Sequence, residues 1–228
     1  MSAFDRYAPF VQDFIYRSGW QNLRAIQVAA AEAIFNTDDN LLLTASTASG
    51  KTEAAFFPII TLFSEDPPAS VGAIYIGPLK ALINDQFGRL SDLCAQADIP
   101  VWHWHGDVAQ SHKARLLKHP SGILQITPES LEALLLHKHS AIPKLFGDLR
   151  FVVIDEVHSL LRGDRGGQTL CLIERLSRLA ARSGIMSARA SACPPPSATR
   201  KNAGNSFPWA PGGRPSSPRS RPPGTNGG

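Results

Sequence analysis

Apolar positions along the 228 residues fall into two alternating rhythms. Short unbroken runs predict strands buried on both faces: "NLLLTA" (40–45), "AIYIGP" (73–78), "VWHWHG" (101–106), "GILQIT" (122–127) and "FVVIDE" (151–156). Between them, "KTEAAFFPIITLF", "LKALINDQFGRLSDLCAQA", "DVAQSHKARLLKH" and "PESLEALLLHKH" space their apolar residues at helical intervals. After the last run, "GGQTLCLIERLSRLAAR" adds one more amphipathic helix. Strand–helix alternation implies right-handed crossovers onto a parallel sheet. The predicted fold class is therefore α/β, a mainly parallel sheet flanked by helices.

The rhythm stops near Ser183. Residues 194–228 hold nine of the chain's 18 prolines, with Gly, Ser and Arg filling most of the rest. Such a segment cannot bury enough apolar surface to offset its ordering entropy. The expectation is one folded domain over 1–183 and a disordered Pro/Gly/Ser/Arg-rich tail over 184–228.

Charge changes the picture at the same point. The formal net charge is +4, yet from Arg182 onward there are seven Lys or Arg and no Asp or Glu. That leaves 16 basic against 19 acidic residues in 1–181, a net of −3. The basic balance belongs to the tail and is poor evidence for nucleic-acid binding. Cys94, Cys171 and Cys193 lack paired spacing, which argues against a disulfide framework or a structural zinc. No apolar run reaches the roughly 18 residues of a membrane span, and the N-terminus has no signal-peptide core. A soluble cytoplasmic protein with no membrane partner is expected.

Candidate chemistry lies at two strand ends. Ala45-Ser46-Thr47-Ala48-Ser49-Gly50-Lys51-Thr52 matches the phosphate-loop pattern, with Ala45 in place of the first Gly. A strand precedes it and an amphipathic helix follows, so successive backbone N–H groups and the helix N-terminus point at phosphates. The Lys51 ammonium would neutralise β/γ oxygens of ATP, and the Thr52 hydroxyl would ligate Mg²⁺. The second half of such a site is a carboxylate ending another buried strand. "FVVIDEVHSL" supplies Asp155 to hold Mg²⁺ and Glu156 to orient and deprotonate the attacking water. The two clusters are expected to face each other across adjacent strand ends.

The motifs together resemble a family. "DEVH" (155–158) looks like the DExH box of superfamily 2 helicases, and its surroundings resemble Lhr-like (large helicase-related) DEAD/DEAH-box helicases. "YIGPLKALINDQFGRL" (75–90) resembles motif Ia, which implies that Pro78, Leu79 and Lys80 meet the nucleic-acid backbone. "ILQITPESLEALL" (123–135) resembles motif Ib, implying the same of Thr127, Pro128 and Glu129. "GWQNLRAIQVAAAEAI" (19–34) resembles the segment before the phosphate loop, in which Gln27 would read adenine. "RGDRGGQ" (162–168) resembles the loop after the box, where Arg162 and Arg165 would help hold a strand. The resemblance also implies a nucleic-acid contact near His105 and Gly106, and a role for His158 in coupling the nucleotide site to the strand-binding face. It covers about residues 4–182 and implies a RecA-like P-loop NTPase lobe with ATP and Mg²⁺ as ligands and DNA or RNA as partner. Ser46 and Ala48 depart from a commoner Pro and Gly.

Both strand-binding motifs follow strands, so they emerge at the carboxyl edge, where open α/β sheets bind ligands. Taken alone, "TPES" reads first as an ordinary capped helix start, and the resemblance reverses that reading. "HWHGD" (103–107) and "HKH" (137–139) lack the Cys or acid spacing of a metal site. Trp102 and Trp104 are expected to pack against helices rather than stack on bases.

A helicase of this kind should follow its DExH box and one helix with a strand carrying Ser-Ala-Thr. Ser197-Ala198-Thr199 follows three prolines, Pro194 to Pro196, which suits no buried strand. One permitted back-translation of "ASACPPPSATR" (190–200), begun one nucleotide earlier, reads R-I-G-L-S-A-T-L-G-D-P. This places Ser-Ala-Thr about at Cys193 to Pro195 and suggests a frame slip between about Ala180 and Ala190. The expected function is the amino-terminal ATP-binding lobe of an ATP-dependent helicase. Without a second lobe and its arginine finger, it would bind ATP and nucleic acid weakly and not unwind. The alternative is a stand-alone, nucleotide-regulated nucleic-acid-binding module.

Overall fold

A computed structural model describes residues 2–37, 41–43, 50–77, 88, 90–155, 164–181 and 189–192. Six parallel strands form the sheet: β1 (Leu41–Leu42), β2 (Val71–Ile76), β3 (Val101–Trp104), β4 (Gly122–Ile126), β5 (Phe151–Ile154) and β6 (Arg189–Ala192). Their order across the sheet is β1-β6-β5-β2-β4-β3. The described helices are α1 (Pro9–Arg17), α2 (Ala25–Asn36), α3 (Lys51–Glu65), α4 (Gln110–Lys118), α5 (Pro128–His137), α6 (Ile142–Leu145) and α7 (Asp164–Ala181), with residues 90–96 helical as well.

The period of two decides which side chain meets which layer. On one face Ala73, Tyr75, Ile123, Phe151 and Val153 pack with α1, α2, α3 and residues 90–96. On the other, Ile74, Ile76, Leu124, Ile126, Val152 and Ile154 pack with Leu116 of α4 and with α5, α6 and α7. Trp102 and Trp104 belong to this second layer and are buried, which matches their expected packing role. β2, β4 and β5 are buried at every position, the signature of strands covered on both sides.

α3 is apolar nearly all round because it lies at the bottom of the first layer. Phe57 on α3 is the hub, with ring centroids 5.9 Å from Tyr7, 5.9 Å from Phe14 and 6.0 Å from Trp20. These contacts clamp α1 and the entry to α2 onto the helix that follows the phosphate-loop segment. At the opposite edge Arg150 opens β5: its guanidinium donates twice to Asp148 (3.0 and 2.8 Å) and once to the Asp66 carboxylate at 2.9 Å.

Three expectations need correction. First, Arg189–Ala192, inside the segment expected to be disordered, is a strand paired in parallel with β1 on one side and β5 on the other. The sheet has a slot there whose two walls present unpaired backbone groups, and local composition yields to that demand. The remainder of 184–228 lies outside the described residues. Second, β1 and β5 are next-but-one rather than adjacent, since β6 separates them. Third, Asp164 and Arg165 of the implied "RGDRGGQ" loop are already helical, so α7 begins two residues before the helix start expected at Gly166, and Gln168 donates to Glu132 of α5 at 2.8 Å. Strand ends also shift by up to three residues: β2 begins two residues earlier than expected, and β1 to β5 all stop one to three residues earlier.

Candidate nucleotide and nucleic-acid site

All six strands run in one direction, so every candidate motif that follows a strand opens at one edge. The order divides that edge in two. β1, β6 and β5 carry the phosphate-loop and acidic-strand ends, while β2, β4 and β3 carry the ends preceding 78–80, 127–129 and 105–106. Two strand spacings, about 10 Å, separate the ends of β1 and β5.

On the nucleotide half, Gly50 is the N-cap of α3 and adopts φ 74°, ψ 34°. This left-handed turn needs glycine, and it starts the helix with Lys51 and Thr52 in its first turn. Ala54 N–H donates to Gly50 O at 2.9 Å as the first helical bond, leaving the preceding amides directed out of the helix end. Gln27, fully buried on the first turn of α2, accepts the Arg24 N–H at 3.0 Å through Oε1. Its Nε2 is buried with no hydrogen-bond partner. A Cβ at position 50 would lie 2.6 Å from that nitrogen. The structure thus brings Gln27 of α2 against Gly50, which leads into Lys51 and Thr52 of α3, with an orphaned amide donor beside that turn.

Asp155 closes β5. Its backbone N–H donates to Ile76 O at 2.9 Å, extending the β2–β5 ladder by one residue. The carboxylate is buried and accepts the Tyr75 hydroxyl through Oδ2 at 2.6 Å. Tyr75 is a site residue that the pattern analysis did not single out, although an aromatic hydroxyl in the aliphatic run "AIYIGP" is the available signal.

The donor set suits Mg²⁺. That ion keeps several waters and takes one or two protein oxygens beside substrate phosphates. The Thr52 hydroxyl and the Asp155 carboxylate are such oxygens, and no group of three or more His, Cys, Asp or Glu able to hold a metal occurs among the described residues.

On the other half, His105-Gly106-Asp107 forms the turn between β3 and α4, with Val108 N–H donating to His105 O at 3.2 Å. His103 and Gln125 sit opposite one another in the β3–β4 register. Burial, and the positive charges His105 and His112 would carry, hold the His103 pKa below its ordinary value. Thr127 caps α5, its hydroxyl accepting the Ser130 N–H at 3.3 Å, with Pro128 at the first helical position and Glu129 in the first turn. The plain capped helix start is therefore present, placed at the edge where a phosphate contact would occur.

Ala45, Ser46, Thr47, Ala48, Ser49, Pro78, Leu79, Lys80, Glu156, His158 and Arg162 lie outside the described residues. Arg165 is on the first turn of α7, and its side chain is not described.

Residues 24–201 match the DEAD/DEAH box helicase family. The chain belongs to that family. The match continues past residue 184 and takes in β6 and Ser197-Ala198-Thr199. Over 159 residues the chain is 37% identical to the ATP-dependent helicase Lhr-Core of Methanothermobacter thermautotrophicus, covering 61% of this chain and 18% of that protein. The Mycobacterium smegmatis helicase Lhr, solved with single-stranded DNA and AMP-PNP, superposes with a TM-score of 0.69 at 25% identity, covering 85% of this chain and 25% of that one. The helicase MrfA, bound to DNA and AMPPNP, superposes at 0.76 with 24% identity, over 87% of this chain and 27% of that one. The chain spans under a third of the length of each, and the RecA-like lobe is the portion it shares.

Proposed function

We propose that this chain is the nucleotide-binding lobe of an ATP-dependent nucleic-acid helicase of the Lhr-like group and that it binds Mg²⁺–ATP between the α3 N-terminus and Asp155. One observation carries the reading: the orphaned Gln27 amide, the left-handed Gly50 and the buried Asp155 all gather at the carboxyl end of the sheet. Gln27 would satisfy its free donor on the adenine. Lys51 and the α3 amides would hold the β and γ phosphates. Thr52 and Asp155 would hold Mg²⁺, which neutralises phosphate charge when bound. Glu156 would orient and deprotonate the attacking water.

Nucleic acid, DNA or RNA, would lie along the β2–β4–β3 half. Pro78, Leu79 and Lys80, Thr127 to Glu129, and His105 with Gly106 would contact its backbone, aided by Arg162 and Arg165 and coupled to ATP through His158. Backbone contacts of this kind position a strand without reading its bases. The Mycobacterium smegmatis helicase Lhr was solved with both single-stranded DNA and AMP-PNP, which supports a lobe that meets both kinds of ligand. An arginine finger is worth roughly 10³–10⁵ in rate, so these 228 residues alone would hydrolyse ATP slowly.

The test is nucleotide binding by the chain. Lys51→Ala should weaken ATP affinity at least about tenfold, the loss of one charge-assisted phosphate contact. Equal binding by wild type and variant would remove the nucleotide reading. Strand-stimulated hydrolysis by the wild type would favour an active module over a lobe that needs a partner lobe.

We further propose that the reading frame slips between about Ala180 and Ala190 and that everything beyond is read out of frame. β6 occupies 189–192, immediately before Cys193 to Pro195, where the neighbouring frame would place Ser-Ala-Thr. Codons through this region that cannot encode that strand in the neighbouring frame would end the idea.

A further inference from the structure

Tyr75 lies inside the sheet, 2% exposed, in register with Val153 of β5. Asp155 is two residues beyond Val153, hence on the same face and about 6–7 Å further along. A phenol spans that distance, and its hydroxyl reaches Asp155 Oδ2 at 2.6 Å. This falls in the short range of a hydroxyl bonded to a carboxylate. The ring is braced from above by Phe56 of α3, centroids 5.8 Å apart. One side chain on β2 therefore touches both halves of the nucleotide site, the acidic strand through its oxygen and the phosphate-loop helix through its ring. Phenylalanine would pack there equally well. A buried hydroxyl costs free energy unless bonded, so its presence is accounted for by the carboxylate it meets.

We infer that Tyr75 is a positioning residue for the metal-holding carboxylate: its hydroxyl fixes the orientation of Asp155 and so sets how tightly the nucleotide's divalent cation is held. The inference rests on the nucleotide reading above. It also gives β2 a mechanical part in the site, because the strand that precedes 78–80 carries the group that orients Asp155. A carboxylate held by a neighbouring donor loses less freedom on meeting a cation than one left to rotate.

The experiment uses the full chain and a fluorescent N-methylanthraniloyl adenine nucleotide, titrated with Mg²⁺ and separately in excess chelator. Tyr75→Phe should lower the apparent Mg²⁺ affinity about tenfold, the usual cost of losing an outer-shell partner, while leaving chelator-condition nucleotide binding unchanged. In an Asp155→Asn background the same substitution should cause no additional loss, since the group it positions is gone. A Mg²⁺ titration of Tyr75→Phe that overlays the wild type would overturn the inference. Equal weakening with and without Mg²⁺ would also overturn it, by showing a packing role alone. Wild-type chain that binds no nucleotide in either condition would instead remove the nucleotide reading, and the inference with it.

Discussion

At the scale of single residues, the site depends on a contact that no local pattern contains. Gly50 is needed twice over, for its φ of 74° and because a Cβ would meet Gln27 Nε2 at 2.6 Å. Gly50→Ala should therefore destabilise the chain by about 1–2 kcal/mol in thermal or urea unfolding and displace Gln27 from the nucleotide edge. His103 supplies a pH signal of known sign. Its folded-state pKa is depressed below the ordinary 6.5, by burial first and then by His105 and His112, with Gln125 pulling the other way. The unfolded chain binds the proton more readily, so this contribution to stability is present above pH 6.5 and is lost as pH falls through the folded value. Asp107 is the acid on that turn, its Oδ2 3.9 Å from His105 Nδ1. Urea midpoints measured downward from pH 7 should fall, and His103→Gln should flatten that fall.

At the scale of elements, capping and anchoring matter more than propensity. Thr127→Val removes the acceptor for Ser130 N–H and should cost about 1 kcal/mol, read as a lower unfolding midpoint. Arg150 ties β5 to the α3–β2 connection through Asp148 and Asp66, and its backbone N–H donates to Gly72 O at 2.8 Å. Burial works against the charge on Asp148, but the Arg150 and Ala69 hydrogen bonds prevail and hold its carboxyl below the usual range. Arg150→Ala should cost about 1–2 kcal/mol, less than a fully buried pair because the Asp66 end is exposed. Helices and strands were legible because burial on a sheet face or helix stripe leaves a period in the sequence. Their ends were less so. At the "RGDRGGQ" segment the resemblance implied a loop, yet α7 begins at Asp164 and packs Leu172, Ile173 and Leu176 onto the sheet. That burial outweighs the poor helix propensity of Gly166 and Gly167.

At the scale of the whole molecule, the sheet's interior slot is the deciding feature. Without β6, β1 would lose its only partner among the described strands, and the phosphate-loop end would not be held near Asp155. A chain ending at residue 188 should unfold at a lower temperature than one ending at 192, and should bind nucleotide more weakly. Equal melting temperatures would show that 189–192 contribute nothing.

The amino-acid sequence by itself determined the α/β class, the identity of most helices and strands, and the phosphate-binding and acidic motifs, since these rest on local periodicity and on chemistry carried by a few neighbouring residues. Only the tertiary structure decided that Gln27 abuts Gly50, that Tyr75 holds Asp155, and that a segment of tail composition fills the gap between β1 and β5. Each of these joins residues from separate elements. Such pairings are set by strand order and by the need to satisfy buried polar groups, neither of which is written in any one stretch of chain.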